Sequence, residues 1–247
     1  MKILFSPSEA KHTGGSASSI KDDSFLFPAL YNKRLEILTA YNSFVLTATN
    51  EKLIKLFGTK KQTVVDYYHD DLMKRKTMKV IERYDGVAYD YLDYPTLDDS
   101  QKLYIDKNVI IFSNLFGPLL AGDATLPDYK LKQGEKIGDI APEKFYNEHF
   151  STALDTLLHQ EHYLDLRAGF YNKFYKPSSP YTTLKFIKEG KVVSHWAKAY
   201  RGLVLRELAT NSIETIEDFM RMNIKNLEIK EIIEKGIQTE VVYNITH

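Results

Sequence analysis

The chain contains no cysteine. That excludes disulfides, thiolate metal centres and thiol redox cycles within it, and it fits a reducing compartment. Net charge is also lacking, since 33 Lys+Arg balance 33 Asp+Glu. No global field therefore draws the chain to nucleic acid or to a membrane surface. Any basic site must be local and offset by acidic surface elsewhere. No stretch approaches the roughly 18 apolar residues of a membrane span. Ile3-Leu4-Phe5 is too short an apolar run for a secretion signal. There is no Gly-rich phosphate loop, no nucleophile elbow and no His-Glu-x-x-His helix. The expectation is a cytoplasmic protein with no membrane contact, no metal and no cofactor.

What is present is ordinary globular material. The 247 residues are 43% hydrophobic and 27% charged, and strands and helices alternate without a Pro/Gly/Ser linker. This predicts one compact α/β domain over residues 1–247, a mixed sheet flanked by helices. The 17 tyrosines and 13 phenylalanines are expected mainly in the core, although tyrosine also stacks on bases.

Short strands are predicted at residues 2–5, 108–113, 129–132, 162–166, 182–187, 191–195 and 240–244. Residues 10–24 read as a mobile Ser/Gly loop. The middle, from Val80 to Tyr89, reads as strands and turns, with Asp85-Gly86 as a turn. Helices are predicted from Pro28, over residues 51–57, from Thr59, over 141–160 and over 196–210. Gly58 is the expected stop between the second and third of these.

Two clusters place cations just beyond predicted strands. One is Ser6-Pro7-Ser8-Glu9-Ala10-Lys11; the other is Trp196-Ala197-Lys198-Ala199-Tyr200-Arg201-Gly202. In open α/β sheets, ligands gather outside the strand ends. Lys198 and Arg201 lie three positions apart, on one helix face. They open a helix, where the dipole disfavours cations, so an anionic partner is expected. The hairpin Lys55-Leu56-Phe57-Gly58-Thr59-Lys60 has the apolar frame and one glycine of a phosphate-contacting helical hairpin, but lacks a second glycine.

These landmarks, in order, resemble the YaaA family: Ile-Leu-x-Ser-Pro-x-x-x-Lys at the start, Ser113-Asn114-Leu115-Phe116-Gly117-Pro118 with Asp123, Tyr129-Lys130-Leu131, and Ala197-Lys198-Ala199-Tyr200-Arg201-Gly202. The resemblance implies one compact α/β fold with a basic cleft and a helix-hairpin-helix-like element. It also implies backbone binding to duplex or branched DNA and a role in limiting iron-mediated damage under peroxide. By position, Lys11, Lys130, Lys173, Lys198 and Arg201 match the family's basic landmarks, as does Tyr129. Two departures stand out. Leu119-Leu120-Ala121 replaces a stretch that carries an arginine in the family, and Ala168-Gly169-Phe170-Tyr171 lacks the family's carboxylate.

The leading expectation is DNA binding without base readout. Lys11, Lys130, Lys198 and Arg201 would line the cleft, and Lys55, Gly58, Thr59 and Lys60 would form the hairpin contact. The alternative is an enzyme acting on a phosphorylated small molecule or nucleotide, with Asp85, Asp123 or His195 moving protons. A closed pocket holding cations and a carboxylate favours the latter; a groove as broad as a duplex favours the former. His159 and His162 have metal-ligand spacing but no third ligand, and a solvated helix end explains them more simply.

Overall fold

The computed structural model describes residues 1–16, 19–159 and 162–246, without the side chains of Ser194 and His195. The chain opens with β1 (Ile3–Phe5), in which all three side chains are buried. Three helices follow: α1 (Tyr31–Thr47), α2 (Asn50–Phe57) and α3 (Gln62–Tyr68). Next come β2 (Thr77–Met78), α4 (Val80–Arg83), α5 (Val87–Leu92) and α6 (Asp99–Asn108). The chain then forms β3 (Val109–Ser113), β4 (Gly117–Leu120), β5 (Leu126–Pro127), α7 (Pro142–Leu158) and β6 (Tyr163–Asp165). It finishes with β7 (Tyr181–Lys188), β8 (Lys191–Val192), α8 (Ser194–Thr210), α9 (Ile216–Arg221), β9 (Leu227–Lys235) and β10 (Gln238–Ile245).

The main sheet is mixed and runs β4-β3-β1-β6-β7-β10-β9, with β8 paired to β7. Strands β3, β1, β6, β7 and β10 are mutually parallel, and β4 and β9 close the edges antiparallel. Parallel strands covered on both faces need uninterrupted apolar runs, and Val109-Ile110-Ile111-Phe112 is such a run, wholly buried. Because β1 and β6 pair in parallel, with Leu4 opposite Asp165, the segments that follow them leave the sheet at one shared edge. The fold is thus the mixed α/β sheet flanked by helices that the sequence predicts.

Several local expectations are corrected. The middle is helical, not a series of strands and turns. Asp98 accepts from the Gln101 amide while the Gln101 side chain bonds the Asp98 amide, a reciprocal cap that starts α6. Helix α5, of six residues, is too short to display a helical period. Tyr129-Lys130-Leu131-Lys132 belongs to no strand; its Lys132 amide is held by the Leu56 carbonyl at 2.9 Å. Strand β9 lies outside the strands that the sequence predicts, because residues 228–235 carry charges and are almost wholly exposed, as befits an edge.

Residues 11–16 of the loop expected to be mobile are tied down. Lys11 bridges Tyr84 and Ser16 bridges Thr77. The buried guanidinium of Arg83 donates to the carbonyls of His12 and Gly14. Asp123 caps a loop as expected, accepting from the amides of Leu26 at 3.0 Å and Leu120 at 2.8 Å. Burial pushes its carboxyl up to about 6.

One close approach fixes the site directly. A Cβ at Gly202 of α8 would lie 1.9 Å from the Ala88 carbonyl oxygen of α5, so this glycine sets how closely the two helices pack. Gly202→Ala is expected to destabilise by about 1–3 kcal/mol, even though alanine favours a helix interior by about 1 kcal/mol over glycine. A melting curve checks this; an unchanged or raised midpoint contradicts the close approach.

Candidate functional site

A cleft of about 360 Å³ opens at the shared strand edge. Its walls are Ser6–Glu9 after β1, Leu166 and Ala168 after β6, Gly86–Tyr89 at the start of α5, and Lys198 and Arg201 of α8, with Gln133 and Tyr171 at the side. Hydrogen bonds hold the two strand exits together. The Ala168 amide donates to Ser6 Oγ at 2.8 Å, and the Tyr89 hydroxyl donates to the Ser6 carbonyl at 2.9 Å. Gly86 begins α5 with φ at 112°, a conformation suited to glycine, and a Cβ there would meet Ser8 Oγ at 3.0 Å. Glu9 accepts from the Gln133 amide at 3.1 Å, which fixes the outer rim.

At the end of β6 lies a buried ion pair between Asp165, the strand's last residue, and Arg167. Arg167 Nη2 meets Asp165 Oδ2 at 2.7 Å and Arg167 Nε meets Oδ1 at 2.9 Å, with side chains only 1% and 5% exposed. Arg167 also donates to the carbonyls of Tyr171 and Tyr175, both at 3.1 Å. Its guanidinium lies 4.4 Å from the Phe112 ring centre.

Arg201 is different. It is half-buried and lines the cleft, yet among the described residues no hydrogen bond or ion pair engages its guanidinium. Burial lowers it from the usual arginine range, and the nearby charge of Asp165 offsets this only in part. Both oxygens of that carboxylate are already taken by Arg167. Lys198, exposed and one turn earlier on the same face, has no carboxylate partner either among the described residues. Two cations thus line an open cleft without a hydrogen-bonded or ion-paired partner among the described residues.

Lys11 lies beside the cleft but does not line it. Its ammonium donates to the carbonyls of Ser8 at 3.3 Å and Glu9 at 3.4 Å, behind the wall those residues form. It sits 4.1 Å above the Tyr129 ring centre and 5.4 Å from that of Tyr84. The residue as a whole is only half-buried, but its charged end is enclosed. Burial lowers Lys11 to about 7, partly opposed by Asp128.

The unfolded chain therefore binds a proton at Lys11 that the folded chain releases between pH 7 and about 10.5, and stability from this group rises with pH across that window. Lys11→Met is expected to be more stable than the parent at pH 7, by on the order of 1–3 kcal/mol after allowance for screening. The gap should narrow by pH 9.5. Paired denaturant titrations at the two pH values check it; a constant gap contradicts an enclosed ammonium.

The remaining expected residues are spread more widely. Lys130 is half-buried and outside the cleft, its carbonyl accepting from the Tyr41 hydroxyl at 2.7 Å. Lys173 ends a short turn (Gly169–Lys173), 5.0 Å from the Phe170 ring centre. Lys55 faces Glu135 at 4.0 Å and lines a second groove of about 580 Å³ with Lys52 and Lys136. Gly58 ends α2 in a left-handed conformation and is covered by the Lys132 stem. The Thr59 hydroxyl accepts from the Lys61 amide at 3.2 Å, and Lys60 is exposed. Helices α2 and α3 follow one another across Gly58–Lys61, and α2 lines the second groove rather than the cleft. The groove and the cleft are linked by Gln133-Gly134-Glu135.

Of the proton carriers, Asp123 is spent on its loop, and Asp85 accepts from the Gly86 amide at 2.7 Å. The His195 side chain lies outside the described residues, as do Gln160 and Glu161. His162 shares a 3.1 Å hydrogen bond with Thr182. Sequence reasoning missed Gln133 and Tyr171 as cleft residues; neither carries a local signal, since only folding brings them to the strand edge.

A family model described as peroxide stress protein YaaA matches residues 1–232. An uncharacterised protein of Campylobacter jejuni is 47% identical, over 99% of this chain and 99% of its own length. A UPF0246 protein of Corynebacterium efficiens is 30% identical over 94% of this chain and 96% of its own length. Another from Corynebacterium glutamicum is 30% identical over 89% and 90%.

Proposed function

Because the chain belongs to the family of YaaA peroxide stress proteins, we propose that its strand-edge cleft holds phosphates of a DNA backbone and that this binding serves the peroxide stress response. The observation that carries the reading is Arg201: a half-buried guanidinium with no partner among the described residues, beside Lys198, at an open edge. Desolvating a cation without compensation costs free energy, so its retention is explained by a ligand that supplies the anion. Arginine offers a planar fork to a phosphate and lysine a point charge. The second groove, joined to the cleft through Gln133-Gly134-Glu135, adds Lys52, Lys55 and Lys136 beside Glu135 and Asp139.

Backbone binding of this kind releases counterions. The logarithm of the affinity for a labelled duplex is expected to fall with the logarithm of salt, with a slope of about −0.9 for each phosphate neutralised. Fluorescence anisotropy at several salt concentrations measures it, and a flat response rejects the reading.

A second reading is favoured by one observation. The cleft's 360 Å³ suits a nucleotide rather than the body of a duplex, and Glu9 lines it together with both cations. A phosphorylated small molecule would then be the ligand. Adding a mononucleotide at millimolar concentration separates the two: displacement of the duplex supports the small ligand, and no displacement supports the backbone.

A further inference from the structure

We propose that β9 is a docking edge for a second copy of the chain, the two β9 strands pairing antiparallel about a two-fold axis through Ile233. The inference does not depend on what the cleft binds. Strand β9 closes the main sheet with only β10 beside it among the described residues. From Glu228 to Lys235, every residue but Ile233 is exposed. An edge strand carries backbone N–H and C=O groups with no partner in its own sheet. Ile229, Ile232 and Ile237, at 39%, 48% and 45% exposure, add apolar surface along this edge and its turn.

The ladder decides which backbone groups are free. A two-residue turn, Gly236-Ile237, joins β9 to β10, with Lys235 opposite Gln238. The pair flanking such a turn exchanges hydrogen bonds, and successive pairs alternate between bonded and non-bonded. Lys235, Ile233 and Glu231 therefore bond inward to β10, while the amides and carbonyls of Glu234 and Ile232 point off the sheet. A register shift opposite Val242 and Tyr243 ends the regular stretch at Glu231. The free edge is thus a short, defined run.

Charge order selects the occupant. Glu231, Ile233 and Lys235 share one face of the strand. A two-fold axis through Ile233 sets Glu231 against Lys235 of the second copy twice, with the two Ile233 side chains between them. Ile232 then lies opposite Glu234 of the second copy, and each such pair exchanges backbone hydrogen bonds. Glu231 has no ion-pair partner among the described residues. Lys235 meets Glu240 at 3.3 Å, and an ammonium with three donors serves both carboxylates. Sliding the register by one residue sets Glu231 against Glu234 instead, and like charges directly opposite are destabilising. The charges that guard the edge against other strands admit this one. Strand β4, at the far edge of the sheet, is buried from Gly117 to Leu119, so it offers no second open edge and the assembly closes at two.

Light scattering across a dilution series measures the association. The mass is expected to rise from 28.5 kDa toward twice that value, and hydrogen exchange at the Ile232 and Glu234 amides should slow as concentration rises. Glu231→Lys, an exposed change, should weaken association by about 10-fold or more, since two attractive pairs become repulsive. It should leave the melting midpoint of the dilute monomer unchanged. Adding Lys235→Glu to Glu231→Lys restores opposite charges across the axis and should recover association. The Lys198→Ala, Arg201→Met variant should dimerise as the parent does.

A mass of 28.5 kDa at every concentration overturns the proposal, whether the edge stays open or is taken by a strand of another protein. Association that survives Glu231→Lys, or that the charge swap fails to recover, places the contact elsewhere and rejects it equally. Either result leaves the phosphate-backbone reading of the cleft standing, because no residue of β9 lines that cleft.

Discussion

Arg167→Ala is expected to cost about 3–5 kcal/mol of folding stability. At the size of this chain, that lowers the melting midpoint by about 6–20 °C. The arginine and Asp165 are enclosed together, at 1% and 5% side-chain exposure. Removing the cation leaves a carboxylate in the interior with no directly bonded counterion, and strands the Tyr171 and Tyr175 carbonyls as well. Burying such groups unpaired is what makes the single substitution severe. Replacing both partners with apolar residues of similar volume should restore much of the stability, because the desolvation cost disappears along with the attraction. Denaturant titrations of the two single variants and the double variant measure this. A cost below about 1 kcal/mol for Arg167→Ala would contradict a buried, mutually dependent pair. The consequence reaches the cleft, since Arg167 anchors the segment that supplies Ala168 and Tyr171 to its wall.

The second large effect has the opposite signature. Lys198→Ala combined with Arg201→Met is expected to reduce affinity for a duplex by about 100-fold or more at moderate salt, at roughly 1.5–3 kcal/mol for each charge-assisted hydrogen bond to phosphate that is removed. The same double variant should melt at an equal or higher temperature than the parent. Arg201 is held half-buried without an acceptor among the described residues, so a methionine of similar length fills its space without the desolvation penalty. A structural arginine would behave like Arg167, its removal lowering stability. A ligand-binding arginine, once replaced, weakens binding and leaves stability intact. Anisotropy and a melting curve on one preparation distinguish them, and a double variant that binds normally but melts early would reassign Arg201 to the scaffold.

What the sequence makes legible follows from how local each signal is. The buried run Val109–Phe112, the stop at Gly58 and the helix carrying Lys198 and Arg201 each depend on neighbouring residues, and the structure has all three. The cations of the cleft are legible for the same reason: they follow directly on strands in the chain. Long-range partners leave no such trace. Arg83 reaches the carbonyls of His12 and Gly14, which turns a loop rich in Ser and Gly into a tethered one. Lys11 follows a strand like the others, yet its ammonium folds back onto Ser8 and Glu9, and only the position of the Tyr84 and Tyr129 rings explains why. The close approach at Gly202 is likewise invisible until α5, itself unreadable at six residues, is in place against it.

The most direct measurement compares salt dependence between the parent and the Lys198→Ala, Arg201→Met variant on one labelled duplex. If both cations neutralise backbone phosphates, the variant's log–log slope is shallower by about 2, from roughly 0.9 for each phosphate no longer neutralised. Parallel lines, offset or superimposed, would mean that neither side chain meets a phosphate, and the cleft would have to be explained without DNA.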